Sequence, residues 1–129
     1  MSAPDGFTRA SVNAFADHAG PFYRSGEILG LRIEPHHLNT FGKAQGGLLM
    51  TMVDLAIGSA VRQAAGGDDV SAATVSLTTD FLRTVDEGAW VTAHTRVERL
   101  GGTLAFVDCS LRADSREVVR GRAVFAVLS

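Results

Sequence analysis

The residue best placed to do chemistry is a carboxylate in the middle of an apolar run. Asp54 stands within residues 48–61, where nearly every other position is apolar, and a buried carboxylate needs a partner or a task. The run opens on Gln45-Gly46-Gly47, preceded by the polar turn Asn39-Thr40-Phe41-Gly42-Lys43-Ala44. Helical periodicity puts Thr51, Asp54, Gly58 and Arg62 on one narrow stripe, so the acid faces a seam. A Gly-Gly start supplies no capping side chain. Its N–H groups stay free, and the helix dipole favours an incoming oxygen there, such as a carbonyl. A structural reading competes, in which Asp54 pairs with Arg62 or with a strand hydroxyl.

The elements that must hold these groups follow from pattern. Residues 48–61 are too short and interrupted for a bilayer span and too apolar for a surface helix, so other structure should wrap them on most sides. Residues 1–21, with Phe7, Val12 and Phe15, predict a short capping helix ahead of Gly20-Pro21. Residues 28–35 predict a first strand that Pro35 ends. After a stop at Gly66-Gly67-Asp68-Asp69, four strands are predicted. Residues 70–84 carry Val75, Leu77, Phe81 and Leu82; 89–100 alternate Val91, Ala93, Thr95 and Val97 with polar residues. Residues 103–113 alternate through Ala105, Val107, Cys109 and Leu111, and 117–128 through Val119, Ala123, Phe125 and Val127. The turns at Asp86-Glu87-Gly88, Gly101-Gly102 and Asp114-Ser115-Arg116 are short enough for hairpins. One apolar helix and a long antiparallel sheet predict an α+β fold in which the curved sheet wraps the helix.

At 129 residues, 46% of them hydrophobic, the chain has enough core for one domain, 1–129. A net charge of −2 and the lack of any basic run or stripe argue against nucleic acid and anionic membranes as partners. Cys109 is the sole cysteine, which excludes an intrachain disulfide and fits a reducing compartment. The amino terminus has no apolar run of signal-peptide type, so a cytoplasmic location is expected. His36 and His37 point apart on an extended loop and are expected to be solvent-exposed, with no metal site.

Asn-x2-Gly-x2-(His/Gln)-Gly-Gly-x7-Asp at the start of an apolar helix resembles the hotdog-fold acyl-CoA thioesterases of the PaaI-like, phenylacetate-pathway type. Asn39, Gly42, Gly46, Gly47 and Asp54 match, and the resemblance covers roughly residues 28–128. Gln45 departs from it, since most relatives carry His there. The resemblance implies the hotdog fold and hydrolysis of an acyl-CoA, or acyl-carrier-protein, thioester without a cofactor. The Gly46 N–H would hold the thioester oxygen, and Asp54 would activate water or attack directly. Asn39 and Gln45 would line the thioester, and Thr74, with Ser71 and Ser76 as alternatives, would position the water. Gly47 would sit against the substrate; Lys43, Arg83 and Arg99 are candidates for the phosphates, because the usual basic residue is missing from Gly101-Gly102. A non-catalytic acyl-thioester binding or regulatory protein on the same fold is the alternative. A dehydratase would want a histidine in the motif, and none is there.

Geometry adds one requirement. Gly46 and Asp54 are eight residues apart, roughly 12 Å at about 1.5 Å per helical residue. One helix cannot bring both to one carbonyl, so a second, antiparallel copy must supply the missing partner. A homodimer or a dimer of dimers is expected.

Overall fold

The computed structural model describes residues 3–128; Met1, Ser2 and Ser129 of the expected domain lie outside the described residues. The chain runs through β1 (Thr8–Ala10), α1 (Ala14–Ala19), β2 (Phe22–Ser25), β3 (Ile28–Arg32), a 3-10 turn at Pro35–His37 and α2 (Gly46–Ala65). It ends in β4 (Ser71–Phe81), β5 (Trp90–Leu100), β6 (Leu104–Ala113) and β7 (Arg116–Leu128). All seven strands form one antiparallel sheet in the order β1-β2-β3-β5-β6-β7-β4. α2 lies across one face of it, as the α+β expectation requires. Alternation selects what the helix meets: Val91 and Ala93 of β5, Ala105, Val107, Cys109 and Leu111 of β6, and Val119, Ala123 and Phe125 of β7 are all buried. Burial pushes the Cys109 thiol up to about 12, against a smaller downward pull from the His94 backbone.

While other expectations are corrected, the expected short amino-terminal helix is present, six residues long and capped by Asn13, whose Oδ1 accepts the Ala16 N–H at 2.8 Å. Ala16 is its buried residue, while Phe15 is 65% exposed. Strands β1 and β2 flank this helix; at three and four residues they are too short to show a period. β3 stops at Arg32, ahead of Pro35. The Asp86-Glu87-Gly88 turn closes no hairpin, because β4 pairs with β7 while β5 pairs with β3. Gly101-Gly102 and Asp114-Ser115 do close hairpins. Both Asp114 and Ser115 have positive φ, 52° and 64°, as a type I′ turn needs.

Helix α2 spans 20 residues, more than its apolar run predicts and enough for a bilayer by length and composition. The sheet covers one side of it only. Leu48, Leu49, Met52, Val53, Ala56, Ile57, Gly58 and Val61 are buried, and Met50, Thr51, Asp54, Leu55, Ser59 and Ala60 on the remaining face are half-buried.

β4 differs most from its pattern. It is an edge strand with a register shift between Thr74 and Ser76, so Val75 has no cross-strand partner and is 60% exposed. The extra residue resets the alternation. Thr74, opposite buried Phe125, and Leu77, opposite buried Ala123, therefore both face the helix although three positions apart.

Helix and sheet are in tight contact at Gly121, where an added Cβ would lie 2.6 Å from Val53 Cγ1. Gly121→Ala forces the helix or Val53 to shift, and overpacking of this kind costs about 1–3 kcal/mol. The urea midpoint of the variant is expected to fall accordingly, with an unchanged m-value.

Candidate active site

The start of α2 is held open by its loop. Asn39 Oδ1 accepts the backbone N–H of Phe41 at 2.9 Å and of Lys43 at 3.1 Å. Gly42, with φ of 77°, donates to Asn39 O at 3.0 Å. The Ala44 N–H donates to Val85 O at 2.8 Å, and the Gln45 N–H to His37 O at 2.9 Å. Gln45 caps the helix in extended backbone without a side-chain cap bond, and its carbonyl receives the Leu48 and Leu49 N–H groups. Gly46 and Gly47 thus begin the helix with N–H groups that have no partner among the described residues. Gly47 is open, and an added Cβ on Gly46 would sit 3.6 Å from the Phe81 ring.

Two turns along the helix, the half-buried Asp54 carboxylate accepts a hydrogen bond from the Thr74 hydroxyl, Oγ1 to Oδ1, at 2.7 Å. The β4 bulge aims Thr74 at the helix. Ser76, opposite Val124, turns to the other sheet face, and Ser71 begins the strand. Of the two structural partners expected for the acid, the strand hydroxyl is the one present. Arg62 lies instead over Gly58, its Nη1 3.8 Å from where a Cβ would be. Phe81 and Thr74 are seven residues apart on β4, about 20 Å, so the free N–H groups and the acid occupy separate places along one helix.

A cleft of about 550 Å³ beside the helix start gathers Asn39, Phe41, Lys43, Gly46, Phe81 and Arg83. The Lys43 ammonium is ion-paired with Asp86, which competes with an anionic ligand. Arg99 lies outside this cleft. It sits by the β5–β6 hairpin, at the sheet end where β4 begins, because Leu104 pairs with Ala126 while Ser71 pairs with Leu128.

The exposed placement expected of both loop histidines holds for His36 alone. His37 is 4% exposed. Its Nδ1 accepts the Glu34 N–H at 2.9 Å, and Nε2 faces Ala19 O at 2.7 Å and Gly20 O at 3.1 Å; His36 Nε2 meets Gly20 O at 2.9 Å. The pair ties the end of α1 to the loop before α2. The signal that could have found it is Glu34 three residues before His37 with Pro35 at the first helical position, a capping-box spacing. His94 is on the opposite sheet face, bonded to Thr92 Oγ1 at 2.8 Å. Burial and the Arg112 charge lower its pKa. A second cleft near it, about 480 Å³, contains ion pairs satisfied internally, Asp108 with Arg122 at 3.1 Å and Glu117 with Arg120 at 2.7 Å. No group of three metal-ligating side chains occurs among the described residues.

The sequence pattern of the thioesterase superfamily matches residues 41–120, from the loop before α2 into β7. The chain belongs to that superfamily. A Pseudomonas aeruginosa protein provisionally named an esterase is 33% identical over 131 residues, covering 97% of each chain. The PaaI protein of the Escherichia coli phenylacetic acid degradation operon superposes with a TM-score of 0.78 at 21% identity, over 91% of this chain and 86% of that one. A Streptococcus mutans protein solved with acetyl-CoA does so with 0.73 at 20% identity, over 100% and 94%. The fold is therefore the hotdog fold, and membership supports hydrolase activity on thioesters.

Gln45 presents an exposed amide beside the helix start, which donates a hydrogen bond but does not titrate near neutrality. Gln45→His is expected to stay folded and active. Its pH–rate profile should gain an inflection near the imidazole value of about 6.5 that the parent lacks.

Proposed function

We propose that the protein hydrolyses an acyl-CoA thioester to the free acid and CoA in sites shared between two copies of the chain. The observation that carries this reading is the division of labour along α2: unpartnered N–H groups at Gly46 and Gly47, and an acid–hydroxyl pair, Asp54 with Thr74, about 12 Å further on. General-base attack needs the carboxylate within about 3 Å of a water that is itself beside the polarised carbon. A two-fold axis that sets two α2 helices antiparallel brings Gly46 of one copy to Asp54 of the other. The β4 edge supports this arrangement. Its outer hydrogen-bonding side is unpaired among the described residues, and Val75, Phe81 and Leu82 are exposed along it or just beyond. Such an edge is a template for another strand.

In this reading the Gly46 N–H, at the positive end of the helix, takes the carbonyl oxygen as negative charge grows on it. Thr74 donates to one Asp54 oxygen and leaves the other for the water, whose proton the carboxylate accepts as the hydroxide adds to the carbonyl carbon. Collapse of the tetrahedral centre breaks the C–S bond and expels the thiolate. Direct attack by Asp54, with a mixed anhydride hydrolysed in a second step, uses the same geometry. Asn39 Oδ1 is engaged in the loop, so its Nδ2 is the group available to the thioester, along with the Gln45 amide. Arg83 and Lys43 face the anionic part of the substrate from the same copy, Gly47 borders the thioester, and Arg99 would reach it only from the second copy. An acyl-carrier protein presents the same phosphopantetheine arm.

Asp54→Asn is expected to lower turnover of hydrolysed acyl-CoAs at least about a hundredfold with an unchanged melting profile. A folded variant with near-parental activity would remove Asp54 from the chemistry. Complementation tests the shared site. Asp54→Asn keeps the Gly46 donor, and Gly46→Pro removes it at a first helical position where proline is tolerated. After subunit exchange at equal mixing, about a quarter of parental sites should return, one in each heterodimer. Verified heterodimers that stay inactive would show that acid and donor do not meet across an interface.

A further inference from the structure

Arg24 stands where strand alternation asks for an apolar residue. It lies on β2 opposite Leu29 and two residues after Phe22, both 1% exposed, so its side chain turns toward α2. There it is half-buried, and its Nη1 donates to Ser59 Oγ at 3.1 Å. Nε and Nη2 make no hydrogen bond, and no carboxylate pairs with the guanidinium, among the described residues. A charge withdrawn from solvent is ordinarily paired. The open side of this donor fork therefore fits an acid that the chain itself does not supply.

The space before it is a cleft of about 580 Å³ between the β2–β3 turn, β5 and the second half of α2. Thr95 of β5, opposite buried Cys109, faces the same side, and its hydroxyl has no partner among the described residues. Ala60, Ala64 and Val97 supply apolar wall. Glu27 on the rim is exposed and forms no ion pair among the described residues, so solvent screens it.

The cleft is separate from the candidate active site. Ser59 is thirteen residues along α2 from Gly46, about 20 Å, and about 140° around the helix from Asp54. Asp54 meets Thr74 of β4, whereas Ser59 meets Arg24 of β2, toward the other end of the sheet order. A partner copy joined at the β4 edge leaves this cleft open.

We propose that the cleft binds a small monocarboxylate with a short aliphatic tail, its carboxylate on the Arg24 fork and the Thr95 hydroxyl, its tail against Ala60, Ala64 and Val97. A planar carboxylate takes two parallel N–H bonds from one guanidinium. A phosphate offers the fork acceptors but nothing to the apolar wall. The free acid released by a thioesterase belongs to this chemical class, yet the binding site stands independently of that reading.

The test titrates hexanoate, acetate, hexanol and inorganic phosphate into the full chain, followed by amide NMR shifts. Hexanoate is expected to shift the amides of residues 59–64 and 95–97 and to bind at least about tenfold more tightly than acetate or phosphate. Hexanol, which has no charge for Arg24, should leave those amides in place. Arg24→Gln should weaken hexanoate binding at least about tenfold. Ala64→Trp, which fills the cleft and keeps the arginine, should abolish it, and Asp54→Asn should leave it unchanged. Shifts confined to residues 45–54, equal binding of phosphate, undiminished binding in a folded Ala64→Trp variant, or no binding of hexanoate to the parent each overturns the assignment and leaves the thioesterase reading to its own hydrolysis assay.

Discussion

The structure depends on how closely one helix can lie against one sheet. Met52, Val53, Ile57 and Val61 are fully buried in that contact, and the absence of a side chain at Gly121 lets Val53 reach the strand. A fully buried aliphatic side chain contributes about 1.5–3 kcal/mol, so these four alone outweigh any surface interaction in the molecule. Their alignment fixes the helix axis and with it the direction in which the uncapped N-terminus points. The polar groups of the site are passengers of that packing, positioned by apolar contacts on the helix face they do not occupy.

Around this contact, the loop before the helix uses its polar groups on itself. Asn39, Gly42, Ala44 and Gln45 satisfy one another or the neighbouring segments at Val85 and His37, so the loop is stiff without shielding the first turn. A helix N-terminus left free of a side-chain cap forgoes about 1 kcal/mol. Here that sacrifice coincides with a ligand-sized opening, the pattern expected where local stability yields to function.

The sequence carried the helix and β5 to β7 because each has an unbroken period and one buried face. It carried the acid and the Gly-Gly start because both break the local rules, a charge in an apolar run and an uncapped N-terminus. Thr74 was readable only through the resemblance. The bulge at Val75 shifts the alternation by one residue, and a strict period of two places Thr74 and Leu77 on opposite faces. His37 was misplaced because adjacent histidines on extended backbone diverge, whereas Pro35 starts a 3-10 turn that folds one of them inward. The crossover between β4 and β5 was hidden for a third reason: turn chemistry reports that the chain reverses, but not which strand it rejoins. The short β1 and β2 are defined by pairing partners rather than by pattern.

Each turnover of a thioester hydrolase sets free a thiol, and free thiols exchange into disulfides with any accessible cysteine once conditions become oxidising. The sole cysteine of this chain is Cys109, sealed on the helix side of β6 with its thiol held protonated by burial up to about 12. Its low access and small thiolate fraction both disfavour exchange. The core packing that orients the helix therefore also shields the sole cysteine from the thiol that thioester hydrolysis releases.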